Sequence, residues 1–133
     1  MDWDRVGIEE IDREHAAIHA RLGALAAAAA GGRDWCEGYA HVEALRELCA
    51  VHFGVEESLM RLHDFPGLTA HRDEHRRFSG LLSDLQRRVV STPLDPGAIG
   101  FIDAWWTRHI RNADRLYVEW FVGRPVPVLE GAR

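Results

Sequence analysis

Long apolar runs, strand-like alternation and a cysteine framework are all missing from this chain. No stretch approaches the roughly eighteen consecutive apolar residues that a membrane-spanning helix needs. The opening residues, Met1-Asp2-Trp3-Asp4-Arg5, are charged and lack the apolar segment of a secretory signal. Positive charge is also in short supply: 16 Lys and Arg stand against 21 Asp and Glu, for a net charge of -5. The basic residues are scattered among acidic ones, so no stripe offers itself to phosphates. The two cysteines, Cys36 and Cys49, are too few for a disulfide scaffold and read as buried packing residues. These absences predict a cytoplasmic protein with no membrane association and no nucleic-acid partner.

The residues that are present point to helices. With 133 residues and 47% apolar content, the chain is long enough for one domain with a real core. Apolar side chains recur at three- and four-residue steps over four segments, about 12–30, 34–63, 68–90 and 97–122. Asp12 is read as the cap of the first, and Gly31-Gly32 stops it. Pro66-Gly67 interrupts after the second. Asp95-Pro96 opens the fourth, with proline at the first helical position. Connections this short make successive helices antiparallel neighbours. The expected fold is all-α: an up-down-up-down four-helix bundle with an N-terminal arm over 1–11 and an unplaced tail over 123–133.

Histidine is over-represented, with eight in the chain, and most lie on the apolar stripes. The first helix offers His15, the second His52 and Glu56, the third His71 and His75, and the fourth His109 and Asp114. Residues four apart share a helix face, so His52 points with Glu56 and His71 with His75. His109 and Asp114 are about 140° apart on an ideal helix, which suits two residues reaching different parts of one cluster. Buried imidazoles and carboxylates need partners, and a metal satisfies them better than pairwise hydrogen bonds. Seven ligands exceed what one first-row ion takes from protein, so two ions with bridging carboxylates fit the count. Nitrogen and oxygen donors without cysteine lean toward iron or manganese. His41 and His63 fit no ligand slot and read as surface or helix-end residues.

The segments Ile11-Asp12-Arg13-Glu14-His15, His52-Phe53-Gly54-Val55-Glu56, His71-Arg72-Asp73-Glu74-His75 and His109-Ile110-Arg111-Asn112-Ala113-Asp114 resemble the hemerythrin family, especially its single-domain bacterial members. The likeness spans roughly residues 3–121. It implies that His71, His75 and His109 hold one iron and that His15 and His52 hold a second with an open position. Glu56 and Asp114 would bridge the two irons beside an oxo or hydroxo group. The implied function is reversible dioxygen binding, as carrier, store or sensor. The alternative is a di-iron enzyme on the same scaffold, reducing peroxide or nitric oxide or acting as an oxidase, and a metal-storage module is a third class. Ile18, Phe53, Trp105 and Ile110 match the positions expected to wall a dry ligand pocket.

Two positions depart from the family pattern. Trp106 stands where a leucine is usual, and it either narrows access, donates a hydrogen bond to the bound ligand or repacks beside Trp105. His19, one turn after His15, replaces an apolar residue and reads as an extra ligand, a proton donor or a solvated side chain.

Overall fold

Apolar residues three and four apart wind α1, Glu9–Ala30, whose buried stripe is Ile11, His15, Ile18, Leu22, Leu25 and Ala28. The computed structural model describes residues 7–31 and 35–122, and the side chains of 121 and 122 also lie outside the description. The expected tail and most of the arm therefore fall outside the described residues. Helix α1 starts at Glu9, not Asp12. Glu9, Glu10 and Asp12 all sit in its first turn, where negative charge favours the helix N-terminus. Asp12 is no cap: its carboxylate reaches back to accept from the Gly7 N–H at 3.2 Å.

Helix α2 spans Trp35–Leu62, α3 spans Leu68–Val89 and α4 spans Pro96–His109. A π-helical turn, Ile110–Asp114, joins α4 to α5, Arg115–Val122, so the fourth rod is interrupted rather than continuous. Helix α2 ends at Leu62, within a residue of the expected end at 63 and ahead of Pro66-Gly67. Asp64 adopts a left-handed conformation, φ 54°, and the Phe65 N–H bonds the Met60 carbonyl at 2.9 Å. This is a Schellman-type ending on a residue other than glycine. The start of α4 follows the sequence reading, with the Asp95 carboxylate accepting from the Gly97 N–H at 2.9 Å and Pro96 in the first turn. Asp95→Ala is expected to cost about 1 kcal/mol, lowering the melting temperature by about 3–5 °C in a thermal scan. An unchanged melting point would show that this cap is idle.

Helices α1 and α2, α2 and α3, α3 and α4, and α4 and α1 pack against one another, which closes an all-α four-helix bundle. Two apolar clusters fill it. The larger gathers Ile18, Leu22, Leu45, Phe53, Phe78, Leu82, Ile102, Trp106 and Ile110 among others. The smaller holds Ile11, Met60, Tyr117 and Val118. His15, His52, Glu56, His71, His75, His109 and Asp114 are buried on these same four stripes. On α1, His15 falls between Ile11 of the smaller cluster and Ile18 of the larger, and on α2 Glu56 falls between Met60 and Phe53. The polar layer is thus sealed by hydrocarbon on both sides along the bundle axis.

The cysteines divide. Cys49 is buried as expected, and burial pushes its thiol up to about 12. Cys36 is exposed, contrary to the packing expectation, because it lies in the first turn of α2. No helix among the described residues is long and apolar enough to cross a membrane.

Candidate metal centre

The four rods bring the seven sequence-predicted residues together. Their donor atoms fall into two groups, each compact enough to surround one ion: Glu56, His71, His75, His109 and Asp114 form one, and His15, His52, Glu56 and Asp114 the other. Glu56 and Asp114 belong to both.

The imidazole Nε2 atoms face the carboxylates at contact distance. His71 and His109 lie 2.9 and 3.0 Å from Asp114 Oδ1, and His15 lies 3.1 Å from Asp114 Oδ2. His52 is 3.2 Å from Glu56 Oε2 and His75 is 3.2 Å from Glu56 Oε1. Yet the Nε2 atoms of His52, His71, His75 and His109, Glu56 Oε1 and both Asp114 oxygens make no hydrogen bond among the described residues. Distance without hydrogen-bond alignment is what ligands of a common ion show. Neighbouring donors on an ion with bonds of about 2.1 Å are about 3 Å apart, and their lone pairs aim at the ion rather than at each other. The donor set therefore fits a pair of metal ions, with imidazole nitrogen and carboxylate oxygen in the mix that iron and manganese accept.

The phase problem on the fourth rod is solved by the π-turn. Five residues separate His109 from Asp114, which on a regular α-helix would turn the carboxylate well away. The wider turn over Ile110–Asp114 absorbs one residue, so both side chains face inward, 3.0 Å apart. Asp114 Oδ1 faces His71 and His109, while its Oδ2 reaches His15 of the other donor group.

The orienting carboxylates were not picked out from sequence. Glu14 on α1 accepts from His52 Nδ1 of α2 at 2.8 Å. Glu57 on α2 accepts from His75 Nδ1 of α3 at 2.8 Å, and Glu74 on α3 accepts from His109 Nδ1 of α4 at 3.1 Å. Each glutamate adjoins a cluster residue in sequence and serves the next helix round the bundle. A carboxylate only accepts, so the hydrogen stays on Nδ1 and the Nε2 lone pair is left for a metal. Tyr117 donates its hydroxyl to Glu56 Oε2 at 2.8 Å, fully buried, and fixes the shared carboxylate from the smaller apolar cluster.

Electrostatics follow from this crowding. Burial alone would lower the His15 imidazole, but Asp114 and Glu56 outweigh it and push it up to about 10. His109 rises to about 10 in the same way, with Asp114 and Glu74 overcoming desolvation. Desolvation would raise Glu56, but His52, His15 and His75 hold it well below the ordinary carboxylate range. The hydroxyl of Tyr117 is driven up by desolvation and then by Glu56 and Asp114, so it stays a donor. Metal entry must displace the protons that these imidazoles otherwise hold, which makes binding weaken on acidification.

The remaining sequence candidates distribute unevenly. Ile18, Phe53, Trp106 and Ile110 are buried in the larger cluster, and Trp105 packs against it half-buried. Phe53 stacks on His75 at 3.9 Å between ring centres, and Trp105 stacks on His109 at 5.0 Å. Both tight stacks are on histidines of the five-residue group. Trp106 instead meets His15 and His52 of the four-residue group, at 5.6 and 5.9 Å. Its indole Nε1 is buried and makes no hydrogen bond among the described residues. An unmet buried donor costs about 1–3 kcal/mol. His19 is half-buried and belongs to neither donor group. His63 takes the helix-end place rather than the surface place expected of it. It ends α2 but is buried, its Nδ1 donates to the Leu59 carbonyl at 2.8 Å, and its own carbonyl accepts from Trp120 Nε1 at 2.9 Å. His41 is part-exposed, 4.0 Å from Glu37.

A helical bundle with two buried donor groups sharing two carboxylates has the architecture of a metal-binding protein. The profile of the hemerythrin HHE cation binding domain matches residues 6–121, and the chain belongs to the hemerythrin family. It is 31% identical over 121 residues to a myohemerythrin of Riftia pachyptila, covering 86% of this chain and 88% of that protein. It is 28% identical over 121 residues to a bacteriohemerythrin of Ralstonia nicotianae, covering 90% and 85%. A crystal structure of wild-type hemerythrin superposes with a TM-score of 0.77 at 26% identity, covering 84% of this chain and 87% of that one.

Proposed function

We propose that the chain is a non-haem di-iron protein that binds dioxygen reversibly, as a carrier, store or sensor. The observation that carries this reading is the unequal sharing of donors. Five residues make up one group and four the other, with Glu56 and Asp114 common to both. In this reading His71, His75 and His109 would hold one iron, His15 and His52 would hold the other, and Glu56 and Asp114 would be shared between them beside a solvent-derived oxo or hydroxo group. The iron with fewer protein donors keeps the position that a small ligand takes. When bound, the iron pair supplies the electrons that dioxygen needs in order to bind.

The protein's own side chains do the rest. Glu14, Glu57 and Glu74 hold three imidazoles in the ligating tautomer. Tyr117 steadies Glu56. Ile18, Phe53, Trp106 and Ile110 keep water from the four-residue group, and a dry site resists loss of the bound ligand.

The test is the visible spectrum of the chain loaded with ferrous iron under argon. The expected course is colourless at first, coloured on admitting air and colourless again under argon, through several cycles. Irreversible oxidation, with turnover of peroxide or nitric oxide when a reductant is supplied, would replace binding by the enzyme reading. Retention of well under two irons per chain after desalting, with no charge-transfer band, would overturn the di-iron site altogether.

A further inference from the structure

Trp106 is a fully buried tryptophan whose donor finds no acceptor among the described residues. Its side chain is 0% exposed, and its Nε1 makes no hydrogen bond among the described residues. Packing alone does not call for an indole, because leucine or phenylalanine would seal the same space with no polar atom to satisfy. The placement is specific as well. The ring stands edge-to-face with His15, 89° between planes, and at 65° to His52. Among the described aromatic side chains, Phe53 contacts His52 from this group and Trp106 contacts both histidines. These are the two imidazoles of the donor group with the fewer protein ligands. The adjoining Trp105 lies flat on His109 instead, so the paired tryptophans serve different ends of the centre.

We infer that Trp106 is a binding residue for the exogenous ligand. Its indole N–H donates a hydrogen bond to the metal-distal atom of a small ligand at the position between His15 and His52. The inference rests on the di-iron reading and deepens it by naming the residue that recognises the ligand. A donor at that point favours ligands that carry negative charge away from the metal, because a charge-assisted hydrogen bond is about twice as strong as a neutral one. It also discriminates against ligands with no acceptor at that end.

Azide is a suitable probe, since it binds the diferric form without redox chemistry and its stretching vibration reports hydrogen bonding. The comparison is between the diferric wild type and Trp106→Phe, which keeps an aromatic wall but removes the N–H. Azide affinity is expected to fall about 10- to 100-fold in the variant. The stretching frequency of bound azide is expected to shift on transfer to D2O in the wild type and to lose that shift in Trp106→Phe. Equal affinity and equal isotope response in the two proteins, each holding two irons, would overturn the inference and leave the di-iron reading standing. Should Trp106→Phe fail to fold or load, the wild-type isotope measurement decides alone: no shift in D2O rejects the donor. A wild type that retains no iron pair and takes up no azide would overturn both.

Discussion

Replacing Glu56 with alanine is expected to empty both metal positions at once. The carboxylate is fully buried and lies within 4 Å of four imidazoles: His15 at 3.6, His52 at 3.2, His71 at 3.9 and His75 at 3.2 Å. It belongs to both donor groups, so no single ion can be lost while the other keeps its full set. The substitution leaves five imidazoles facing one carboxylate, Asp114, and removes the Glu56 oxygen that accepts from the Tyr117 hydroxyl. Breaking a buried charged network in this way destabilises by about 3–5 kcal/mol. Metal analysis after ferrous loading and desalting should find well under one ion per chain, against two in the wild type. Glu57→Ala is the informative comparison. Glu57 is the next residue, but it is partly exposed and acts by orienting His75. Its loss should weaken metal affinity about 10- to 100-fold and still allow both positions to fill at saturating iron. Two ions retained in Glu56→Ala would mean that the shared carboxylate is not a bridge.

What could be read from the sequence was whatever depends on spacing along one helix. His15, His52, Glu56, His71 and His75 lie on apolar stripes of regular period, so their inward direction follows from counting. The orienting glutamates depend instead on register between helices. Glu14 precedes His15 in the chain but bonds His52, 38 positions away, and nothing in either segment states how α1 and α2 are aligned. The adjoining indoles show the same limit. Trp105 and Trp106 are about 100° apart on a helix, and which of them meets His15 depends on the phase of α4 against α1. In sequence Cys49 lies among Leu48, Ala50 and Val51, whereas Cys36 lies between Asp34 and Glu37; Cys36 falls in the first turn of α2 and is left in solvent. The end of α2 was legible to within a residue, but its left-handed stop at Asp64 was not, because that conformation is usually left to glycine or asparagine. The Asp95-Pro96 start was legible because both its signals are local.

The π-turn gives the second large effect, since one inserted residue should separate the fourth rod's ligands. His109 and Asp114 face the same centre only because Ile110–Asp114 winds wider than an α-helix. Asp114 closes the turn, Tyr117 and Val118 follow it, and all three are buried, so they share one rotational phase. An alanine inserted after Asn112, an exposed position, makes the separation six residues. On a regular helix that is about 120° away from the His109 direction. Asp114 would swing out of both donor groups, and Tyr117 would lose Glu56. The expected outcome is loss of both ions and a large drop in thermal stability. Deleting Asn112 does the opposite. It shortens the separation to four residues, which returns His109 and Asp114 to one face of an ordinary helix, about 40° apart. That variant should still hold two ions, with the circular dichroism of a continuous rod. Metal content measured on the pair isolates rotational phase from mere disturbance of the backbone, because both variants change the chain by one residue at the same place. Equal loss of metal in the two would show that the turn supplies something other than phase.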